Sequence, residues 1–378
     1  MHSARTTTRT TGARTSGAGT GGAGAGTTGT APRAARWNGT AGSYPQWYED
    51  PLSCLQTTLG GVLLEHGLRP VEVLGLSCEF VFAPEDLPRE EFYRPAQGDR
   101  GVAGDLCPYH EVESAWTTGA DADDLIGLIE EHSGVVVAVD NYHLPFRPAF
   151  HDVHAAHLVV VPGWRRTAGG AVEFYVSDAQ PPRFQGWLAA EHLLASWLSG
   201  NPSDTQDVFF SSREIGGRVL TTSVREQPGE LTADRVALAL RGNLDRWTGG
   251  TAGTGDRLWT GRAGLGRFVE RLTEHRGDPA ELRSAYTLGW SMQSQAFLHG
   301  RLAQEFAHRS KQSPLLEVAA SADRVVAAWS NVRLLGAHAA ETAGITELVP
   351  RRGAELVHAY EQLAADWQLA LAKEWTDV

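Results

Sequence analysis

The sequence has few of the residues that build disulfide frameworks, metal knuckles or membrane spans. Its 378 residues include three cysteines, Cys54, Cys78 and Cys107, and no two of them form a CxxC pair. An odd, sparse set cannot form a disulfide framework and is typical of a reducing cytoplasm, where one thiol can stay reactive. The longest apolar runs, such as residues 158–162, are far too short to cross a bilayer.

Positive charge is also scarce. Lys and Arg together number 33 against 45 Asp and Glu, which gives a net charge of −12, and Lys311 and Lys373 are the only lysines. This balance excludes a general nucleic-acid binder. The chain is 42% hydrophobic, which is enough for one large domain or two of ordinary size.

The first 42 residues differ in composition from the rest of the chain. They are rich in Thr, Gly and Ala, with five arginines, no acidic residue and almost no large apolar side chain. Such a segment cannot offset the entropy cost of ordering, so we expect a disordered tail over residues 1–42. It lacks the apolar core of a secretory signal. An Arg-rich transit peptide and an overextended start of the coding sequence are the alternatives.

The next part of the chain predicts a helix followed by a mainly antiparallel sheet. Apolar residues repeat at helical spacing from Cys54 to His66, and Gly67 is a natural stop. Three β-branched runs predict strands over 134–140, 157–164 and 171–179, and "RTAGG" between the last two predicts a hairpin turn. We therefore expect an α+β domain over residues 43–225.

Helical periodicity dominates from about residue 226 onward. Thr232 is a candidate N-cap, and further helical stretches lie around 264–276, 281–307, 315–342 and 354–375. No fixed-period repeat is visible, which favours an all-helical C-terminal domain over residues 226–378 rather than a solenoid.

Cys54 stands in the first turn of the predicted helix, where free backbone amides and the helix dipole favour a thiolate. A thiolate is a good nucleophile at neutral pH. The alternative is that Cys54 is a small buried residue, as free cysteines usually are.

His157 begins a predicted strand, and Asp178 ends the next one. If the two strands pair as an antiparallel hairpin, the two side chains can be neighbours. The order cysteine at a helix start, histidine at a strand start and aspartate on the adjoining strand is that of papain-like thiol enzymes. The aspartate would orient the imidazole, and the imidazole would take the thiol proton.

A zinc site is the competing interpretation of "HDVHAAH", which contains His151, His154 and His157. The stretch lacks the glutamate of the HExxH pattern, and nothing fixes it as a helix. We therefore expect no metal and no cofactor, and we expect His143, His151 and His154 to lie in a solvated loop or to line a pocket.

Three segments resemble the butirosin biosynthesis protein H family. They are "CLQTTLGGVLLEHGLRPVEVLGLSCEFVF", "VVVAVDNYHLPFRPAFHDVHAAHLVVVPGW" and "VEFYVSDA". The helices that follow look like the helical domain that often succeeds them, so the resemblance covers about residues 45–375. The chain departs from the family pattern at Trp164 and Arg165. It also has Cys78 where the family usually has a small residue, and we expect Cys78 to be structural.

The resemblance implies a papain-like fold and an acyltransferase of secondary metabolism. Such an enzyme takes an acyl group from an acyl or peptidyl carrier protein thioester and gives it to a small-molecule amine, with intramolecular cyclisation as a variant. It implies Cys54 as the acylated nucleophile, His157 as the base and Asp178 as its orienter. Gln46 is an oxyanion candidate, while Asp140 and Tyr142 are pocket candidates, with Asp140 a second choice for the triad.

Two other classes of protein stay open at this point. A hydrolase, either a thioesterase or a peptidase, would use the same triad with a path for water, and a non-catalytic scaffold would hold an inert thiol. The oligomeric state is also open, a homodimer included. An acidic carrier protein would need a basic surface, for which two arginine pairs are candidates, Arg165–Arg166 and Arg351–Arg352.

Overall fold

The computed structural model describes residues 44–82, 106–132, 134–225, 229–249 and 258–373, with the side chains of 343 and 344 excepted. The tail predicted over residues 1–42 lies outside this part of the chain. The described residues belong to one compact unit. Within these ranges, no helix is both long enough and apolar enough to cross a membrane.

The predicted first helix, α1, spans Cys54–Glu65 and is confirmed. Gly67 follows its C-cap with φ of 74°, a left-handed conformation that glycine adopts without strain. Residues 55–63 are all buried, so α1 is a central helix rather than a surface one. A short helix, α2 (Pro70–Leu74), follows it, with proline in its first turn.

A six-stranded antiparallel sheet forms the centre of the first half. From one edge to the other, its strands are β2 (Val112–Thr118), β7 (Arg218–Val224), β3 (Val135–Asp140), β4 (Ala156–Arg166), β5 (Val172–Asp178) and β6 (Phe184–Ala189). The three predicted strands correspond to β3, β4 and β5, which confirms them. The β4–β5 connection is the predicted turn, closed by a hydrogen bond from Thr167 N to Ala171 O at 2.8 Å.

Helices cover both faces of the sheet. Strand β3 is buried along its whole length, as a strand covered on both sides must be. Val136 and Ala138 pack in the apolar cluster that contains α1. The alternate residues of β3 pack against α3 (Ala122–Glu131) and α4 (Ala190–Trp197). The helix that carries Cys54 therefore lies directly against the central strands.

The second half of the chain is helical, as predicted. Its helices are α5 (Ala233–Thr248), α6 (Gly261–Glu274), α7 (Pro279–Ser310), α8 (Pro314–Glu341) and α9 (Val349–Leu371). Thr232 is the N-cap of α5 and accepts a hydrogen bond from Arg235 N at 3.3 Å. The α+β class with a helical C-terminal region is thus confirmed.

The two halves share apolar packing. Phe80 and Phe82 lie in the helical core, and Phe80 stacks on Trp329 of α8 with ring centroids 6.1 Å apart. Their strand, β1 (Val81–Phe82), pairs with β8 (Trp259–Thr260) between α5 and α6. Cys78 is buried in the same core, where we expected a structural role. The boundary at residues 225 and 226 stays a prediction about domains.

Candidate active site

Cys54 is the first residue of α1, and helix α7 holds this end of α1 in place. The backbone N–H of Ser53, the N-cap, donates to Ser294 Oγ at 2.8 Å. Gln56 Nε2 donates to Ser291 Oγ at 3.3 Å, and its Oε1 accepts from the Ser53 hydroxyl. The direction in which α1 presents Cys54 therefore depends on the helical region as well as on the sheet.

The structure brings His157 and Asp178 together across two neighbouring antiparallel strands. His157 lies at the start of β4 and Asp178 at the end of β5, and the register pairs Val160 with Ser177. The distance from His157 Nε2 to Asp178 Oδ2 is 3.0 Å, and the two residues are 5% and 1% exposed. With Nε2 bonded to the carboxylate, Nδ1 is the ring nitrogen left to exchange a proton.

Asp178 also binds a buried arginine that sequence reasoning missed. Arg147 Nη2 lies 3.2 Å from Asp178 Oδ2, the oxygen that His157 contacts, and Arg147 is 8% exposed. Its Nη1 donates to Pro181 O at 3.2 Å. The only signal in the sequence was a single arginine within the apolar turn "LPFRPAF". Arg147 neutralises Asp178 and fixes the loop that follows it.

The environment of His157 favours the neutral imidazole. Burial lowers the pKa of His157 below its ordinary value of 6.5, the charge of Asp178 opposes this effect, and the charge of Arg147 adds to it. A neutral imidazole at physiological pH can accept a proton, which is what a general base requires.

Cys54 and His157 line the same cavity, whose volume is about 160 Å³. Arg147 lies in its wall. The remaining lining residues are Ser53, Asn141, Ala155, Ala156, Gln180, Asp207, Phe210 and Trp290. No sequence motif pointed to four of these residues, Gln180, Asp207, Phe210 and Trp290. Trp290 belongs to α7. The cavity is therefore built from both halves of the chain.

Gln46, the oxyanion candidate, lies outside this cavity. Its Nε2 donates to the backbone oxygens of Asp178 at 2.8 Å and Phe184 at 2.9 Å, and it lies 3.3 Å from Ser177 Oγ. The amide thus ties the N-terminal segment to β5 and β6. This placement does not support an oxyanion role for Gln46.

Asp140 and Tyr142, the pocket candidates, also lie outside the lining of the cavity. Asp140 is fully buried, and its Oδ2 binds His154 Nδ1 and Ser199 Oγ, each at 2.7 Å. Tyr142 stacks on His154 with ring centroids 4.1 Å apart. His157 binds Asp178 instead, so the geometry gives Asp140 a structural place rather than the third triad position.

The three histidines of "HDVHAAH" have separate surroundings. His157 binds Asp178, His154 binds Asp140, and His151 stacks on Phe150 with centroids 3.9 Å apart. In the part of the chain that the structure describes, no group of three or more His, Cys, Asp or Glu side chains is arranged to hold a metal ion.

An acidic and aromatic wall faces the cavity from the loop after α4. Asp207 Oδ1 accepts the backbone N–H groups of Phe209 and Phe210, each at 3.0 Å. Ala156 N donates to Phe210 O at 3.0 Å, which fixes this loop beside His157. Burial raises the pKa of Asp207, although the two backbone N–H groups and Arg213 oppose the rise. A cation placed next to Asp207 would favour its ionised form.

The candidate basic surfaces are partly neutralised. Arg165 Nη2 lies 2.5 Å from Glu173 Oε2, and the guanidinium lies 4.2 Å from the centre of the Trp187 ring. Arg351 and Arg352 both pair with Glu355. Arg165 is also eight residues along β4 from His157, roughly 27 Å in an extended strand. Among the described residues, one carboxylate thus partly balances each arginine pair, and the Arg165–Arg166 pair lies far along β4 from the cavity.

Residues 53–179 match the family model described as Butirosin biosynthesis protein H, N-terminal. The match covers about a third of the chain and confirms the resemblance to that family over these residues, while the resemblance beyond residue 179 stays a prediction; the family takes its name from a protein of butirosin biosynthesis. No curated protein sequence matches the chain significantly. The matched range contains Cys54, His157 and Asp178 and ends at Ala179, the residue that follows β5.

Proposed function

We propose that this protein is a cysteine acyltransferase of secondary-metabolite biosynthesis that forms amides through an acyl thioester on Cys54. The observation that carries the proposal is that Cys54, at the start of α1, shares one cavity with the buried His157–Asp178 pair. A cysteine on a helix start with histidine and aspartate on adjoining strands is the papain-like arrangement, and we extend that name to residues 43–225 as part of the proposal.

In the first half-reaction, His157 Nδ1 takes the thiol proton of Cys54, and the sulfur attacks the carbonyl carbon of a donor thioester. A new carbon–sulfur bond forms, and the carbonyl electron pair moves to oxygen. When the carbonyl re-forms, the bond to the donor sulfur breaks, and that sulfur receives the proton from His157. Cys54 is left acylated. Asp178 orients the imidazole and stabilises its protonated form.

In the second half-reaction, a neutral amine attacks the acyl group on Cys54: a carbon–nitrogen bond forms, the carbon–sulfur bond to Cys54 breaks, and His157 takes the proton that the nitrogen loses and returns it to the Cys54 sulfur. Asp207 suits the binding of a second, protonated amino group of the acceptor, because its carboxylate lines the cavity and uses Oδ1 for the backbone N–H groups of Phe209 and Phe210. Phe210 and Trp290 lie in the same wall, with ring centroids 5.8 Å apart, and aromatic faces attract cations. These features favour transfer to a small-molecule amine over hydrolysis, which needs only water.

The donor in this proposal is an acyl or peptidyl carrier protein, because carrier proteins present acyl groups as thioesters. The name of the family, which comes from a protein of butirosin biosynthesis, supports a role in making a secondary metabolite. The paired arginines described above do not single out a docking surface.

Intact mass spectrometry of the protein after mixing with an acyl-loaded carrier protein tests the proposal. We expect a mass increase equal to the acyl group, mapped to Cys54, while Cys78 and Cys107, both buried, stay unmodified. On addition of a small diamine, the acyl group should leave as an amide faster than as free acid. Free acid as the sole product would indicate a hydrolase. An unreactive Cys54 would leave the non-catalytic scaffold as the remaining interpretation.

Two histidines provide a matched control. His157→Ala should abolish acylation because the thiol loses its base. His154→Ala should have a mild effect, since His154 forms a similar pair with Asp140 but does not line the cavity. Equal losses in the two variants would contradict the assignment of His157.

A further inference from the structure

One residue of the cavity wall has a buried hydrogen-bond donor that the reaction above does not use. Gln180 lines the cavity together with Cys54 and His157. Its Nε2 is buried and has no hydrogen-bond partner among the described residues. Buried polar groups are nearly always paired, because an unpaired one loses its hydrogen bonds to water without compensation. An exception in the wall of a substrate cavity points to a partner that arrives with the ligand.

The backbone of Gln180 is fixed by the same groups that hold His157. Gln180 N donates to Asp178 Oδ1 at 3.0 Å, and Gln180 O accepts from Arg147 Nη1 at 3.4 Å. The side chain makes no contribution to this clamp. The backbone that carries the amide is therefore held at a fixed place beside the cavity, while the fold does not depend on the amide itself.

Two other donors, those of Arg147 and Gln46, are already occupied. Arg147 binds Asp178 and the backbone of the following loop. Gln46, whose position before the nucleophile suggested an oxyanion role, donates to the backbone of β5 and β6. Asn141 accepts a hydrogen bond from Arg147 Nε at 3.3 Å through Oδ1, and its donor, Nδ2, is not a buried unpaired atom. Among the described residues of the cavity wall, Gln180 is thus the one whose side-chain amide nitrogen is both buried and unpaired.

We propose that Gln180 Nε2 donates a hydrogen bond to the carbonyl oxygen of the bound acyl thioester, and that this bond strengthens as the oxygen becomes an oxyanion. The inference rests on the proposed function. As the sulfur of Cys54 bonds to the carbonyl carbon, the π electron pair moves to oxygen, where Gln180 and the backbone N–H of Cys54 stabilise the charge. When the donor carbon–sulfur bond breaks, the pair returns and the departing sulfur takes the proton from His157. Gln180 keeps its proton throughout.

Single-turnover acylation of Cys54 by S-butanoyl-N-acetylcysteamine, followed by intact mass spectrometry, tests the assignment. Gln180→Ala and Gln180→Met should lower the acylation rate constant about 10²–10³-fold, the effect of removing one oxyanion donor. Gln180→Glu should be at least as slow, because a carboxylate accepts hydrogen bonds and repels an oxyanion. Alkylation of Cys54 by iodoacetamide in the same variants should stay within a few-fold of wild type, because displacement of iodide forms no oxyanion. Thermal unfolding should also be unchanged, since the amide nitrogen has no partner among the described residues.

The outcomes separate this inference from the function on which it rests. Wild-type acylation rates in Gln180→Ala would overturn the inference and leave the Cys54 mechanism standing. A wild-type rate in Gln180→Glu would also overturn it, because the residue would then act as an acceptor. Parallel losses of acylation and alkylation would show that Gln180 only positions the thiol, again against the inference. An unreactive Cys54 in the wild type would overturn both proposals.

Discussion

Asp178 binds two buried side chains through a single carboxylate oxygen. His157 Nε2 lies 3.0 Å and Arg147 Nη2 lies 3.2 Å from Oδ2. From the sequence alone, Asp178→Asn should be a mild change, because an amide oxygen can still accept the imidazole N–H bond. The contact with Arg147 alters that expectation, because a neutral amide leaves a guanidinium buried without its counter-charge.

Asp178→Asn should therefore lower the free energy of unfolding, by about 3–5 kcal/mol, as is usual when one partner of a buried ion pair is removed. Urea denaturation of the variant and the wild type measures the difference. The control is the double variant Asp178→Asn/Arg147→Met, which removes both charges and should recover much of the loss. Equal stability of the single and double variants would show that the charge of Arg147 is not the cause.

Among the elements, α1 depends on α7 for the position of its first turn. Ser294 Oγ accepts the N–H of Ser53 at 2.8 Å and also contacts the backbone oxygens of Pro51 and Trp290. Ser294→Ala removes this acceptor and leaves a buried amide unpaired. We expect a loss of about 1–3 kcal/mol in the free energy of unfolding, together with slower acylation of Cys54.

Ser310 on the same helix is the matched control for Ser294. It is also buried, but its hydroxyl donates only to Phe306 O within α7, at 2.6 Å. Ser310→Ala should change neither the acylation rate nor the stability by a comparable amount. If chemical denaturation and single-turnover kinetics gave the same losses for both serines, the link between α7 and α1 would not explain the effect.

Helices and strands in which apolar residues repeat at a regular spacing were predictable from the sequence. The way in which these elements pair and pack was not. Helix α1, strands β3, β4 and β5 and the helices of the second half each repeat apolar residues at the spacing of their own structure. Strands β2 and β7 were missed. They pair with each other across more than 100 residues, as Trp116 with Leu220 does, and local periodicity contains no information about such a pairing.

The same division holds for the site. Cys54, His157 and Asp178 were predictable as a group because their elements follow one another and the β4–β5 hairpin aligns two of them. Arg147 and Gln180 lie in turns without periodicity, and Trp290 reaches the cavity from a helix more than 200 residues after Cys54. Gln46 was expected in the cavity from its separation from Cys54 along the chain, but its amide binds β5 and β6 instead.

At the scale of the whole molecule, His299 of α7 contacts both α9 and Gly75, the C-cap residue of α2. Its Nε2 accepts the indole N–H of Trp367 at 2.9 Å, and its Nδ1 lies 2.8 Å from Gly75 O. Both contacts require the neutral imidazole with its proton on Nδ1. Burial lowers the pKa of His299 to about 4, although the bond to Gly75 opposes the shift.

The stability of the protein should therefore fall as the pH is lowered from 7 to 5. In this range the unfolded chain protonates His299 near its ordinary pKa of 6.5, while the folded chain does not, so unfolding takes up a proton. Protonation of His299 in the unfolded chain should lower the free energy of unfolding by about 2 kcal/mol between pH 7 and pH 5.

Urea denaturation at pH 7 and pH 5 measures this contribution when wild type is compared with His299→Gln, which has an amide in place of the titrating ring. The difference in stability between the two pH values should be smaller in the variant by about that amount. An unchanged pH dependence would show that other groups cause the acid sensitivity.

The wall that Trp290 contributes has a consequence for how this protein can diversify. The bonds that hold Cys54, His157 and Asp178 do not involve the indole of Trp290, yet Trp290 lines the same cavity as Cys54. A point mutation at position 290 can thus admit a different molecule while the bond-making groups stay as they are. Selection at position 290 is limited by its neighbours, because Ser291 and Ser294 follow within about one turn of α7 and hold the start of the helix that carries Cys54.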